Sequence, residues 1–132
     1  SQDLFDTMKA ASLLQKVHHQ DAGVIKPYEV LRMATAGGAK ALGIDSTCGT
    51  IEAGKRADLI LVRIDTAHNQ PVNDIFSQIV HCVKASDVQT VIVDGEILMR
   101  DRQLTRLDEK KILADARVAN RDLMERLNQL PF

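Results

Sequence analysis

Apolar residues near the start of the chain recur at steps of three and four, which is the period of an α-helix. The spacing predicts a helix over residues 4–19, with the Asp3 side chain placed to cap its first turn. Ala10 and Leu13 widen the apolar stripe, so we expect this helix to pack on two sides. The stripe consists of Leu4, Phe5, Met8, Ala11, Leu14 and Val17.

A second helix is predicted from Pro27 to the residues just before Gly43. Proline suits the first helical turn because its missing N–H would have no partner there, and glycine is the usual residue just past a helix end. The small-residue run 36–39 lies inside this helix and contains two glycines, Gly37 and Gly38. Glycine weakens a helix interior by about 0.5–1 kcal/mol relative to alanine, so we expect another element to approach closely here.

The period changes in the second half of the chain. Residues 57–64 form a nearly continuous aliphatic run, which predicts a strand buried on both faces. Asp94-Gly95 lies between the strand-like segments 88–93 and 96–99 and predicts a hairpin with a type I′ turn. Residues 75–83 favour a short helix by their spacing, although Ile79-Val80 alone would suit a strand.

The chain ends in a predicted amphipathic helix, capped by Thr105 or Asp108 and closed by Pro131. The order is therefore helix, helix, short strands, hairpin, helix, an α/β arrangement in one modest domain. So few strands leave sheet edges that need partners. The last helix presents its apolar stripe through Ile112, Ala116, Ala119, Leu123, Leu127 and Leu130.

The charge, apolar content and cysteine spacing of the chain limit the classes of partner and the cellular environment that it suits. The 17 basic and 18 acidic residues give a formal charge of −1, with no basic face for nucleic acid or an anionic membrane. No stretch approaches 18 apolar residues and no secretory signal is visible. Cys48 and Cys82 match no metal or redox spacing, and we expect free thiols in a reducing cytoplasm rather than a disulfide.

The side chains that could carry chemistry do not assemble a site. His18 and His19 are adjacent on a helix, so they point about 100° apart and suit solvent better than a shared metal. His68 lies in a polar loop and His81 in an apolar element, and both are expected to be structural. Asp58 is expected to bind turn amides or the cations before it. A self-contained enzyme would need His68, His81 and Asp58 to converge, which their spacing does not indicate.

Five segments together resemble the carboxy-terminal part of metal-dependent amidohydrolases. The glycine-rich helix and the following aliphatic strand resemble the segment that leaves the catalytic barrel, and the hairpin resembles one that completes a small β-sandwich. The other two segments resemble the cytosine/guanine-deaminase-like branch, which includes adenosine-derivative deaminases and triazine hydrolases. The segments are residues 1–16, 33–44, 49–62, 71–83 and 87–101.

The resemblance implies a (β/α)8 barrel with a β-sandwich built from both ends of a longer chain. In that frame residues 1–46 are barrel-closing helices, residues 47–105 are the carboxy-terminal part of the composite sandwich, and residues 106–132 are a terminal amphipathic helix. The missing sandwich neighbours would come from the amino-terminal remainder of the same protein. Members of such families often self-associate, so a homo-oligomer is also implied.

The resemblance further implies a hydrolase that removes a group from a heterocyclic amidine carbon, using water activated by Zn²⁺ or Fe²⁺. The family's metal ligands are an HxH pair, two further histidines and an aspartate on barrel strands. None of these matches a position here, so we predict no catalytic and no metal-binding residue in this chain. Ser1, Gln2 and Asp3 are expected near the substrate rim, because they would follow the last barrel strand closely.

Two hypotheses of different class follow. In the first, the chain is the structural end of a deaminase-like hydrolase and is inactive alone. In the second, it is a non-catalytic, stand-alone binding or interaction module derived from that fold. A cooperative, monodisperse folded state of residues 1–132 alone would favour the second hypothesis, because the first expects apolar faces that other polypeptide must cover.

Overall fold

A computed structural model describes residues 2–128 as a layer of helices beside an antiparallel sheet. A π-helical turn, Met33–Gly37, joins the helix Pro27–Arg32 to the helix Gly38–Ala41. In chain order the helices are α1 (Leu4–His19), α2 (Pro27–Arg32), α3 (Gly38–Ala41), α4 (Ile75–His81) and α5 (Glu109–Asn128). The strands are β1 (Leu59–Val62), β2 (Val88–Val93), β3 (Glu96–Arg100) and β4 (Gln103–Leu104).

Helix α1 has the predicted bounds and the predicted cap. The Asp3 side chain accepts a hydrogen bond from the Phe5 backbone N–H, which would otherwise lack a partner in the first turn. The helix ends where Gln20 turns into the left-handed region at φ 51°. His18 and His19 lie exposed in the last turn, where a basic side chain is favoured by the helix dipole.

The second helical segment also begins and ends as predicted, at Pro27 and before Gly43, whose φ is +69°. Within residues 2–128 no second element packs on Gly37 or Gly38 themselves. The nearest atom to a Cβ built on Gly37 would be the Arg32 carbonyl oxygen at 3.2 Å, and on Gly38 the Met33 carbonyl oxygen at 3.6 Å. Both neighbours belong to the same helical segment, so these glycines accommodate the wider π-helical turn rather than a second element.

The close approach is instead made by Gly49, which packs on the neighbouring alanines of that helix. Its φ is +94°, and a Cβ at this position would lie 2.6 Å from the Ala39 Cβ and 3.2 Å from the Ala36 Cα. The small residues of the run therefore receive a loop backbone, and the glycine that permits the contact lies in the loop.

The core of the helical layer lies where α4 packs on α1 and α2. Met8, Val30 and Val80, one from each helix, are buried together, and partly buried apolar residues surround them. The helical prediction for residues 75–83 is therefore confirmed and the strand alternative is wrong. The surrounding residues are Phe5, Ile25, Leu31, Ala34 and Ile79.

The sheet runs in the order β1-β2-β3-β4 with every neighbouring pair antiparallel. The predicted hairpin joins β2 to β3, and Asp94 and Gly95 both take positive φ, at 53° and 81°. Strand β1 is not buried on both faces as predicted, since Ile60 is 49% and Leu61 58% exposed. An apolar run therefore borders solvent on the outer strand of the described sheet.

Helix α5 begins at a cap formed by Asp108, whose Oδ1 accepts from the Lys111 N–H at 3.0 Å. The alternative cap, Thr105, instead donates its hydroxyl to the Ile97 carbonyl at 2.7 Å. All residues of α5 are exposed. Leu130, the last member of the predicted stripe, and Pro131, which was predicted to close the helix, lie outside the described residues.

Many large apolar side chains are exposed within residues 2–128, and about half of them lie on α1, β1 and α5. Met8 and Ser12 are the fully buried residues of α1 and Phe5 packs beside them, so the predicted packing on two sides is not formed within residues 2–128. The exposed residues on these elements include Leu4, Leu13, Leu14, Val17, Ile60, Leu61, Ile112, Leu113, Val118, Leu123, Met124 and Leu127.

Candidate functional site

The start of α1 carries two of the residues expected at the substrate rim. Gln2 is exposed, and Ser1 lies outside the described residues. The Asp3 carboxylate is divided between two backbone amides: Oδ1 accepts from Phe5 N at 2.9 Å, and Oδ2 accepts from Ala85 N at 3.1 Å. Asp3 therefore links the first turn of α1 to a segment 82 residues later in the chain.

The segment that Asp3 reaches is a short 3-10 turn, Ala85–Asp87, which leads directly into β2. The Arg102 guanidinium holds this turn from the sheet side through its Nη1, which lies 2.9 Å from the Ser86 carbonyl oxygen and 3.2 Å from that of Val88. Arg102 itself follows β3 with φ 63°. The turn is therefore fixed on one side by the helical layer and on the other by the sheet.

Asp87 forms the centre of a buried polar network that the sequence did not reveal. Asp87 is the last residue of the Ala85–Asp87 turn, and its side chain is only 5% exposed. Its Oδ2 accepts from His68 Nε2 at 2.8 Å, Lys84 N at 2.9 Å and Asn69 Nδ2 at 3.2 Å. Gln78 of α4 extends the network by donating to Asn69 Oδ1 at 3.0 Å.

The ionised form of Asp87 is stabilised inside this network. Burial by itself raises the pKa of a carboxyl group, but the hydrogen bonds from His68, Lys84 N and Asn69 outweigh it and lower the pKa of Asp87 below its usual value. The network joins the loop before α4, helix α4 and the turn before β2. These contacts make His68 a structural histidine, as predicted.

The three side chains that a self-contained enzyme would need do not share partners. His68 binds Asp87, while Asp58 accepts from the Asp94 N–H at 2.7 Å and lies 3.7 Å from Arg56. Burial and the positive charges of Lys16 and Lys9 on α1 lower the pKa of His81. The prediction for Asp58, a carboxylate satisfied by a turn amide and a cation, is confirmed.

A cleft of about 240 Å³ lies between the π-helical turn and β1. The Cys48 thiol in its wall donates to the Ile44 carbonyl at 3.4 Å, and Thr50 accepts from Lys55, so these groups are engaged within the chain. The cleft therefore offers an apolar surface rather than a reacting group. It is lined by Thr35, Cys48, Gly49, Thr50, Ile51, Arg56, Asp58, Leu59 and Ile60.

Residues 2–128 do not fit a metal ion. Within this range no three side chains of the histidine, cysteine, aspartate or glutamate type come together as a ligand set. Both cysteines are free thiols. None of the described helices combines the length and apolar character that crossing a membrane requires.

Two curated relatives match almost all of this chain and only a small share of their own. A 5-methylthioadenosine/S-adenosylhomocysteine deaminase from Syntrophomonas wolfei is 41% identical over 122 residues, which are 92% of this chain and 28% of the relative. A 5′-deoxyadenosine deaminase from Methanosarcina barkeri is 43% identical over 126 residues, which are 96% of this chain and 29% of the relative. The chain thus spans less than a third of these relatives.

Solved structures show the same relation. A zinc-bound adenosine deaminase from Xanthomonas campestris superposes with a TM-score of 0.87 at 31% identity, over 96% of this chain and 28% of the other. The zinc-bound atrazine chlorohydrolase TrzN from Arthrobacter aurescens superposes with a TM-score of 0.78 at 24% identity, which shows the fold alone. The model of the Amidohydrolase family matches residues 1–98. The chain therefore belongs to the amidohydrolase family.

Proposed function

We propose that the chain is the carboxy-terminal structural part of a metal-dependent hydrolase that acts on C–N bonds of cyclic amidines, in the manner of an adenosine-derivative deaminase. The observation that carries the proposal is the coverage: deaminases 41% and 43% identical to this chain align over nearly all of it, while it spans 28% and 29% of them. The substrate class is taken from those relatives' names, 5′-deoxyadenosine and 5-methylthioadenosine/S-adenosylhomocysteine.

The proposed division of labour follows the predicted regions. Residues 1–46 close the barrel, residues 47–105 supply part of a composite β-sandwich, and residues 106–132 form the terminal helix. The exposed apolar residues of α1, β1 and α5 support this arrangement, because such surfaces usually mark contacts with further polypeptide. We infer that the remainder of the same protein covers them.

The metal, zinc or iron, belongs in this proposal to ligands outside residues 2–128, because those residues offer no ligand set. Zinc is favoured by the zinc-bound structural relatives. Ser1, Gln2 and Asp3 are proposed to border the substrate. The chain's own contribution is therefore to shape and hold the site rather than to react. A cytoplasmic location and self-association remain predictions, the first motivated by the two free thiols.

The test compares the intact protein with residues 1–132 alone. We expect the intact protein to bind a stoichiometric divalent metal and to release ammonia from 5′-deoxyadenosine, and chelation to abolish the release. The isolated segment should bind no metal and should release no ammonia from 5′-deoxyadenosine. Metal held in stoichiometric amount by the segment alone would refute the proposal.

The alternative function, a non-catalytic binding or interaction module, makes the opposite prediction for the segment. Such a module would unfold in one sharp thermal transition and stay monomeric by light scattering. We expect instead broad unfolding and association through the exposed apolar faces, since these faces are large for a free-standing domain.

A further inference from the structure

Asp3 is held in a way that only a carboxylate allows. One oxygen caps α1 at Phe5 N, 2.9 Å away, and the other accepts from Ala85 N, 3.1 Å away. Asparagine and serine are equally good helix caps, but each has a single side-chain acceptor oxygen. The cap alone therefore does not require aspartate, whereas the cap and the tether to Ala85 together do.

The cap of α4 provides the contrast within the same chain. Asp74 accepts from Ser77 N at 2.8 Å and begins α4 as Asp3 begins α1. That bond spans three residues and stays within its own helix end. The Asp3–Ala85 bond spans 82 residues and joins two parts of the fold.

The far end of the tether is rigid. The Ala85–Asp87 turn is bound by the Arg102 guanidinium from the sheet side, and Asp87 anchors it in the buried network with His68 and Asn69. The bond from Ala85 N to Asp3 therefore fixes the start of α1 relative to the sheet. The cap at Phe5 N fixes Asp3 only relative to α1 itself.

We propose that Asp3 is a positioning residue for the proposed deaminase reaction. Its carboxylate ties the rim end of α1 to the Ala85–Asp87 turn and so fixes Gln2, the exposed neighbour on the substrate side. Asp3 acts on the reaction through these two backbone amides and not as a reacting group. This assignment rests on the proposed function, which puts the start of α1 at the substrate rim.

The experiment uses the intact protein and separates the cap from the tether. Asp3→Asn and Asp3→Ser keep the cap and lose the tether, Asp3→Ala loses both, and Asp74→Asn is the matched control on α4. For 5′-deoxyadenosine we expect KM to rise about three- to ten-fold in the first two variants with kcat within about two-fold, because a loosened rim weakens binding without touching the reacting atoms. The control should keep both constants.

A second readout does not depend on activity. Amide hydrogen exchange in peptides covering residues 84–88 should quicken in Asp3→Asn and Asp3→Ser and stay unchanged in Asp74→Asn. Unchanged exchange there, unchanged KM in both variants, or a KM effect confined to Asp3→Ala would each overturn the inference. An unsubstituted protein with no deaminase activity would refute the proposed function and the rim assignment with it, while the exchange result would still decide whether the tether exists.

Discussion

The contact of Gly49 with the second helical segment allows a steric cost to be separated from a backbone cost. An alanine there would hold its Cβ 2.6 Å from the Ala39 Cβ and 3.2 Å from the Ala36 Cα, at a φ of +94°. Gly54 is the matched position: its φ is +90°, and nothing lies within 4 Å of the Cβ it would gain. Gly49→Ala therefore changes backbone conformation and packing together, whereas Gly54→Ala changes conformation alone.

The expected magnitudes follow from these two differences. A non-glycine residue in the left-handed region costs about 1–2 kcal/mol, which is the whole effect expected for Gly54→Ala. Inserting a methyl group into a packed contact costs about 1–3 kcal/mol more, because the neighbours are helix backbone and a side chain with no rotamer to change. Gly49→Ala should therefore lower the free energy of unfolding by about 2–5 kcal/mol.

The assay is urea unfolding of the intact protein, followed by circular dichroism at equal protein concentrations. Gly49→Ala should unfold at a clearly lower urea concentration than Gly54→Ala. In an Ala39→Gly background the cost of Gly49→Ala should shrink, since the 2.6 Å contact is then removed while the Ala36 contact remains. Equal midpoints for the two single variants, or no coupling with Ala39→Gly, would show that the loop does not pack on this helix.

The polar network around Asp87 and the half-buried His81 give two further predictions. Asp87→Ala should destabilise the intact protein by about 2–4 kcal/mol at pH 7, because Asn69 keeps a buried donor without its acceptor. Since folding lowers the pKa of Asp87, its contribution to stability is present above the usual carboxyl range and is lost as pH falls through the lowered folded value. In thermal melts over a descending pH series that extends below that range, the difference in Tm between the parent and the variant should narrow; a constant difference would contradict the assignment. His81 has a lowered pKa, so acid protonates the unfolded state first and stability falls below pH 6.5. His81→Gln should flatten that decline in melts between pH 7.5 and 5.5, and an unchanged slope would contradict the assignment.

The sequence predicted those helix ends and turns that depend only on residues a few positions apart in the chain. The cap and period of α1, Pro27 and Gly43 at the ends of the second helical segment, and the Asp94-Gly95 turn all act within a few positions, so the printed sequence contains them. The π-helical turn at Met33–Gly37 was missed because one extra residue per turn leaves no clear mark in apolar spacing. The exposure of β1 within residues 2–128 was not predicted, because a continuous apolar run does not reveal which part of a protein covers it.

The candidate site shows the same limit. Asp3 was identified as a cap, but its second partner lies 82 residues away and no sequence pattern pairs them. The role of Asp87 depends on His68 and Asn69, which approach it only in the folded chain. A histidine and an aspartate in separate polar loops were the only available signal, and that signal is too common to be specific.

The order of the three packed helices constrains how the chain matures during synthesis. Helices α1 and α2 are synthesised before the residue that seals their shared core, because Val80 belongs to α4 and follows β1 in the chain. Until α4 is synthesised, Met8 and Val30 lack the Val80 side chain that covers them. Chaperones bind such transiently exposed apolar surface during synthesis. A chain that ended between β1 and α4 would therefore leave Met8 and Val30 without the helix that covers them, and such exposed apolar surface favours aggregation.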